Sequence, residues 1–102
     1  MNAKKAISQA ELKNLLASDA AKLKVIDIRT AAEFDKLHIP VAENIDTEDL
    51  KNKWSSFSKD DMLVCVCNKG HERSQNAAEF LFNNGFENTF YLEGGTLGWF
   101  PE

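Results

Sequence analysis

Apolar positions along the chain fall into short runs of two different periods, and the change of period marks the elements. Leu12, Leu15 and Leu16 recur at helical spacing behind Ser8 and Glu11, an S-x-x-E capping box, which predicts an amphipathic helix ending near Ser18. Lys24 to Ile28 (KVIDI) is a short β-branched run and predicts a strand. Thr30 and Glu33 repeat the capping box directly after it, so strand passes at once to helix. Pro40 forces His38 and Ile39 out of that helix, because the residue before a proline is pushed away from the α region. A short extended piece over Ala42 to Ile45 follows, then a helix capped by Asp46 or Thr47 and carrying Leu50 and Trp54. Ser55 to Asp61 is a polar loop.

Met62 to Cys67 is apolar at every position. A run without alternation predicts a strand covered on both faces, the mark of a central strand in a mostly parallel sheet. Ala77, Ala78, Leu81 and Phe82 then recur at helical spacing within Ser74 to Asn84, with Gly85 as the stop. Thr89 to Leu92 (TFYL) predicts the last strand, and Gly94-Gly95 turns into a short segment ending at Trp99 and Phe100. Strands alternate with helices throughout, so the fold class is α/β, a central mostly parallel sheet with helices on both faces.

Length adds one bound: 102 residues suit one domain with one core, so residues 1 to 102 are expected to form a single domain with its active site at the core's edge. Apolar residues at 43% and charged residues at 27% are ordinary globular values. The net charge of −4, with no basic run, argues against nucleic acid as a ligand. Neither a membrane-spanning run nor the apolar stretch of a secretory signal is present, and a cytoplasmic monomer is expected. Cys65 and Cys67 lie too close in sequence to pair with each other, so both are expected as reduced thiols.

Candidate chemistry concentrates after the central strand. A thiol reacts as the thiolate, and in water near neutral pH it is mostly protonated. Cys67 closes the apolar strand, a Gly-containing loop follows, and a helix starts. That order surrounds the sulfur with the N–H groups of Asn68, Lys69, Gly70, His71, Glu72 and Arg73 at the positive end of a helix dipole. Lys69 and Arg73 stand where the dipole disfavours cations, which makes sense if an anion occupies the loop, Arg73 offering a bidentate fork and Lys69 a point charge. Glu72 partly opposes them. His71 is either a general acid or a solvated loop histidine.

Simpler roles fit the other candidates. Cys65 is expected to be core, on the same strand face as Cys67, with a resolving or sulfur-accepting role as the alternative. His38 is expected to be a structural hydrogen-bonding residue, and Trp54 and Trp99 packing residues. A metal centre from Cys65, Cys67, His38 and His71 is not expected, because zinc sites space their cysteines differently and no second pair exists.

The ordered pieces VIDIRTAAEF (Val25 to Phe34), HIPVAENI (His38 to Ile45), CNKGHERS (Cys67 to Ser74), GF (Gly85-Phe86) and LEGGTLGW (Leu92 to Trp99) resemble the rhodanese family of single-domain sulfurtransferases from Ile7 to Trp99. The resemblance implies that Cys67 accepts a sulfane sulfur from thiosulfate or a persulfide donor and passes it to a thiol, cyanide or a protein acceptor. It also implies that no metal or organic cofactor is needed, and that Asp27 and Arg29 brace the fold. Two departures stand out. Val41 replaces the glycine of the family's HIPGA turn, and five residues separate Cys67 from Arg73, one more than in most sulfurtransferase members. The longer loop resembles that of rhodanese-fold phosphatases and arsenate reductases, which keeps oxyanion chemistry as an alternative. Val66 stands where those enzymes usually carry histidine, and no general acid is fixed nearby except Glu72 or His71. A non-enzymatic thiol-bearing or partner-binding module is the third reading.

Overall fold

A computed structural model describes residues 5–18 and 22–100. The chain runs β1 (Ala6–Ile7), α1 (Gln9–Ala17), β2 (Leu23–Asp27), α2 (Ala31–Lys36), β3 (Glu43–Asn44), α3 (Thr47–Lys53), a 3-10 turn (Trp54–Ser56), β4 (Met62–Val66), α4 (Glu72–Asn83), β5 (Thr89–Leu92) and α5 (Gly95–Trp99). The strands form one five-stranded sheet in the order β1-β5-β4-β2-β3, and every pairing is parallel. β4 lies at the centre, which explains its uninterrupted apolar sequence.

Alternation along β4 sorts its side chains onto two layers. Leu63, Cys65 and Cys67 face a core built with Ile26, Ile28, Leu50 of α3 and Ala77, Ala78 and Leu81 of α4. Val64 and Val66 face the opposite layer, with Leu12 of α1 and Leu92, against which Trp99 of α5 packs. Helices therefore cover both faces, as the unalternating run requires. Each fully buried Leu, Ile or Phe contributes about 1.5–3 kcal/mol relative to exposure, so these layers dominate stability.

Both predicted capping boxes form. Ser8 Oγ accepts from the Glu11 N–H while Glu11 Oε1 accepts from the Ser8 N–H, and Thr30 and Glu33 repeat the exchange at α2. Of the two candidate caps of α3, Asp46 is the one that bonds, taking the Asp49 N–H at 2.9 Å. His38 is structural as expected: its Nδ1 lies 2.7 Å from the Phe34 carbonyl and its ring stacks on Phe34. Trp54 packs edge-on against Phe80 and Phe86.

Some boundaries depart from the sequence pattern. Strand β4 ends at Val66, one residue early, because the Cys67 carbonyl turns out of the ladder to accept the Thr96 N–H at 2.9 Å. Helix α4 begins at Glu72 rather than Ser74, so Glu72 and Arg73 sit inside its first turn. The Ser55 to Asp61 loop opens with the 3-10 turn. Strand β1 was not expected at all; two residues are too few to show a period, and it exists by pairing with β5.

Candidate active site

Parallel strands aim all their carboxyl ends at one edge of the sheet, and the turns after β2, β4 and β5 meet there. Cys67 leaves β4 at that edge. The loop behind it is held by main-chain contacts: Thr96 N–H donates to the Cys67 carbonyl and Leu97 N–H to the Asn68 carbonyl at 3.0 Å. Gln9 Nε2 holds the turn that supplies them, donating to the carbonyls of Glu93 at 2.7 Å and Gly95 at 3.0 Å. Two glycines permit this approach. Gly70 has φ +75° and a Cβ there would overlap the Leu92 carbonyl oxygen; Gly95 has φ +56° and a Cβ there would overlap the Cys67 carbonyl oxygen.

Cys67 itself is 3% exposed, one side packed on the α3/α4 core and the other forming the floor of an open pocket of about 290 Å³. Asn68, Lys69, His71, Glu72 and Arg73 line the pocket with it. Burial pushes the Cys67 thiol pKa up, but the Ser74 hydroxyl and the N–H groups of Ser74, Gly70 and His71 outweigh it, and the net shift is downward. Cys67 Sγ donates to Ser74 Oγ at 3.1 Å, and that hydroxyl donates to the His71 carbonyl at 3.2 Å. Once the sulfur is ionised the hydroxyl can turn and donate to it instead.

The sulfur's partners thus differ from the expected set. Gly70 and His71 belong to the predicted cradle, whereas Ser74, fully buried, has no role toward the sulfur in the sequence reading, where it ends the CNKGHERS piece and begins the helix. Its signal was its position, one turn into the helix and seven residues beyond Cys67. Cys65, on the same strand face, is fully buried, and burial followed by the charge at Cys67 pushes its pKa up to about 12. It packs as a core residue in this structure.

Arg73 departs most from expectation. Its fork does not stand open toward an anion: Nη1 donates to Glu33 Oε1 at 2.9 Å and Nη2 to Glu33 Oε2 at 3.1 Å. The Arg73 guanidinium, more than the Thr30 cap, lowers the Glu33 pKa to about 2. Asn68 Nδ2 also donates to Glu33 Oε2, at 3.1 Å, while its Oδ1 accepts from Arg29 Nη1 at 3.1 Å. Arg29 is buried against Asp27 through Nε–Oδ1 and Nη2–Oδ2 bonds of 2.9 and 2.7 Å. A continuous chain Asp27–Arg29–Asn68–Glu33–Arg73 therefore joins the sheet interior to the pocket rim. Lys69, His71 and Glu72 are exposed there.

Among the described residues, no group of three or more His, Cys, Asp and Glu side chains is placed to hold a metal ion. No described helix is long and apolar enough to cross a membrane.

Comparison with known proteins agrees with this architecture. The chain is 35% identical over 82 residues to the thiosulfate sulfurtransferase GlpE of Shewanella oneidensis, covering 80% of each chain. It is 31% identical over 95 residues to GlpE of Pseudoalteromonas translucida, covering 93% of this chain and 88% of that one. The crystal structure of a rhodanese-like domain protein from Staphylococcus aureus superposes with a TM-score of 0.84 at 33% identity, over 96% of this chain and 93% of that one. The profile of the rhodanese-like domain matches residues 8–102, and the chain belongs to that family.

Proposed function

We propose that the protein is a sulfurtransferase in which the Cys67 thiolate removes a sulfane sulfur from a donor and hands it to a thiophilic acceptor. The observation that carries this reading is the anion-stabilising setting of one sulfur atom. Cys67 Sγ meets the N–H groups of Gly70, His71 and Ser74 and the Ser74 hydroxyl at the start of α4, with its pKa lowered despite burial. The names of the GlpE relatives support the same reaction class.

With thiosulfate as donor, the Cys67 thiolate attacks the outer sulfur, the S–S bond of thiosulfate breaks, and sulfite leaves with the bonding pair. The enzyme then holds Cys67–S–S⁻, whose outer sulfur extends into the pocket. Cyanide attacks that atom, thiocyanate departs, and the Cys67 thiolate returns; a thiol or a protein acceptor takes the sulfur in the same way. No proton transfer is required while the sulfur stays ionised, which fits a site that offers the sulfur main-chain N–H groups and a Ser74 hydroxyl able to turn and donate to it.

Intact-protein mass spectrometry after thiosulfate exposure tests the reading. A gain of about 32 Da, reversed by a thiol and absent in Cys67→Ser, is the expected result. Phosphate release from an aryl phosphate without any sulfur adduct would place the longer loop with the oxyanion enzymes instead. Partner capture without either activity would leave a binding module.

A further inference from the structure

We propose that Glu33 sets donor selectivity at the Cys67 site, by neutralising Arg73 so that the pocket favours a singly charged organic sulfane donor over dianionic thiosulfate. The inference rests on the sulfur-transfer reading and specifies which donors that site takes.

Glu33 is not a casual surface partner of Arg73. Its Oε1 accepts from Arg73 Nη1, from the Thr30 N–H at 3.1 Å and from Thr30 Oγ1 at 3.2 Å, while Oε2 accepts from Arg73 Nη2 and from Asn68 Nδ2. The capping box of α2 fixes one carboxylate oxygen, and the buried Arg29–Asp27 pair fixes the other through Asn68. The carboxylate cannot swing aside without breaking a cap. An incoming dianion therefore meets Arg73 with its charge already compensated, and the pocket's other charged side chains, Lys69 and Glu72, are opposite in sign and sum to zero. The chain's net charge of −4 adds repulsion at longer range.

A second feature points to an organic donor. Between α3 and α4 lies an apolar depression of about 210 Å³ lined by Thr47, Leu50, Lys51, Ala77 and Phe80, and Arg73 forms part of its wall as well as of the Cys67 pocket. Thiosulfate has no carbon body to place there. An aryl or alkyl thiosulfonate, R–SO2–S⁻, carries one charge fewer and an apolar group beside its transferable sulfur. Its reaction balances as the inorganic one does: the Cys67 thiolate takes the outer sulfur, the S–S bond breaks, and the sulfinate R–SO2⁻ leaves.

The experiment compares kcat/KM for thiosulfate and for benzenethiosulfonate, with cyanide as acceptor, in the native protein and in Glu33→Gln. Glutamine keeps its Oε1 on the Thr30 cap and on Arg73 Nη1, turns its amide donors toward Arg73 Nη2 and Asn68, and removes the charge that compensates Arg73. The native protein should prefer benzenethiosulfonate. In Glu33→Gln, kcat/KM for thiosulfate should rise about two- to fivefold through a lower KM, narrowing the preference. Ionic strength gives a readout that needs no variant. Native kcat/KM for thiosulfate should hold or rise between about 0.05 and 0.5 M salt, since a compensated pocket has little attraction to screen and the chain's net negative charge leaves a repulsion that salt weakens.

A steep loss of native thiosulfate activity with salt, or a Glu33→Gln variant with lower thiosulfate kcat/KM, would mean that Arg73 clamps the dianion and Glu33 merely aims it. Either result overturns the inference. Persulfide from both donors with an unchanged preference in Glu33→Gln also removes it while leaving sulfur transfer intact. Failure of both donors to form any persulfide removes the sulfur-transfer reading as well.

Discussion

Replacing Ser74 with alanine takes one donor away from the sulfur and leaves the N–H groups of Gly70, His71 and Ser74 in place. The hydroxyl is fully buried, 3.1 Å from Cys67 Sγ and 3.2 Å from the His71 carbonyl oxygen. A hydrogen bond to a charged partner is worth about 1.5–3 kcal/mol, and at the lower end its loss reduces the thiolate population on the rising limb of the pH profile roughly tenfold. Basicity and nucleophilicity move together. With a Brønsted slope of about 0.4–0.5, each remaining thiolate should be about threefold more reactive, so the net fall in rate on that limb is also about threefold. The sign reverses at high pH, where both proteins are ionised and Ser74→Ala should react faster. Alkylation by iodoacetamide, followed by mass spectrometry across the pH range, reads both limbs. Superimposable profiles, or a variant profile displaced toward acid, would refute the claim that this hydroxyl stabilises the thiolate.

Two further substitutions probe how the loop is held. Gly70→Ala places a Cβ against the Leu92 carbonyl oxygen, and 2.9 Å from the Gly94 nitrogen, at φ +75°. Urea unfolding should show a loss of about 1–3 kcal/mol and the Cys67 alkylation profile should move toward alkali as the Gly70 N–H leaves the sulfur. Arg29→Met strands the buried Asp27 carboxylate and should cost about 3–5 kcal/mol of stability; a loss below about 1 kcal/mol would contradict a bracing role.

The parts of this fold that were legible in the sequence are those whose cause is local. Ser8 with Glu11 and Thr30 with Glu33 announce helix starts because each box closes within one turn. The unbroken apolar run before Cys67 announces a central strand because burial on both faces leaves no polar position. Strand β1 was invisible because its reason for existing, the partner strand β5, lies at the other end of the chain. The candidate site divides the same way. A thiol at a helix start can be read from the order of residues, whereas the Glu33–Arg73 pair spans 40 positions and depends on α2 and α4 being brought to one edge of the sheet. The sequence therefore suggests an open Arg73 and gives Ser74 no contact with the sulfur.

The proposed function requires the fold to hold a reactive anion beside its core. Stabilising a thiolate demands donors that do not relax away when the charge appears, and main-chain N–H groups qualify only if the loop is fixed from outside. Here one side of the loop is fixed by backbone, with Thr96 and Leu97 N–H groups on the Cys67 and Asn68 carbonyls and Gly70 against Leu92. The other side is fixed by side chains, the buried Asp27–Arg29 pair acting through Asn68. The first support comes from the turn after β5 and the second from the turn after β2, the two strands that flank β4. Cys67 is thus held between the immediate neighbours of its own strand. The sheet order itself is what makes the cradle rigid, and a cysteine at the end of an edge strand would have had one support instead of two.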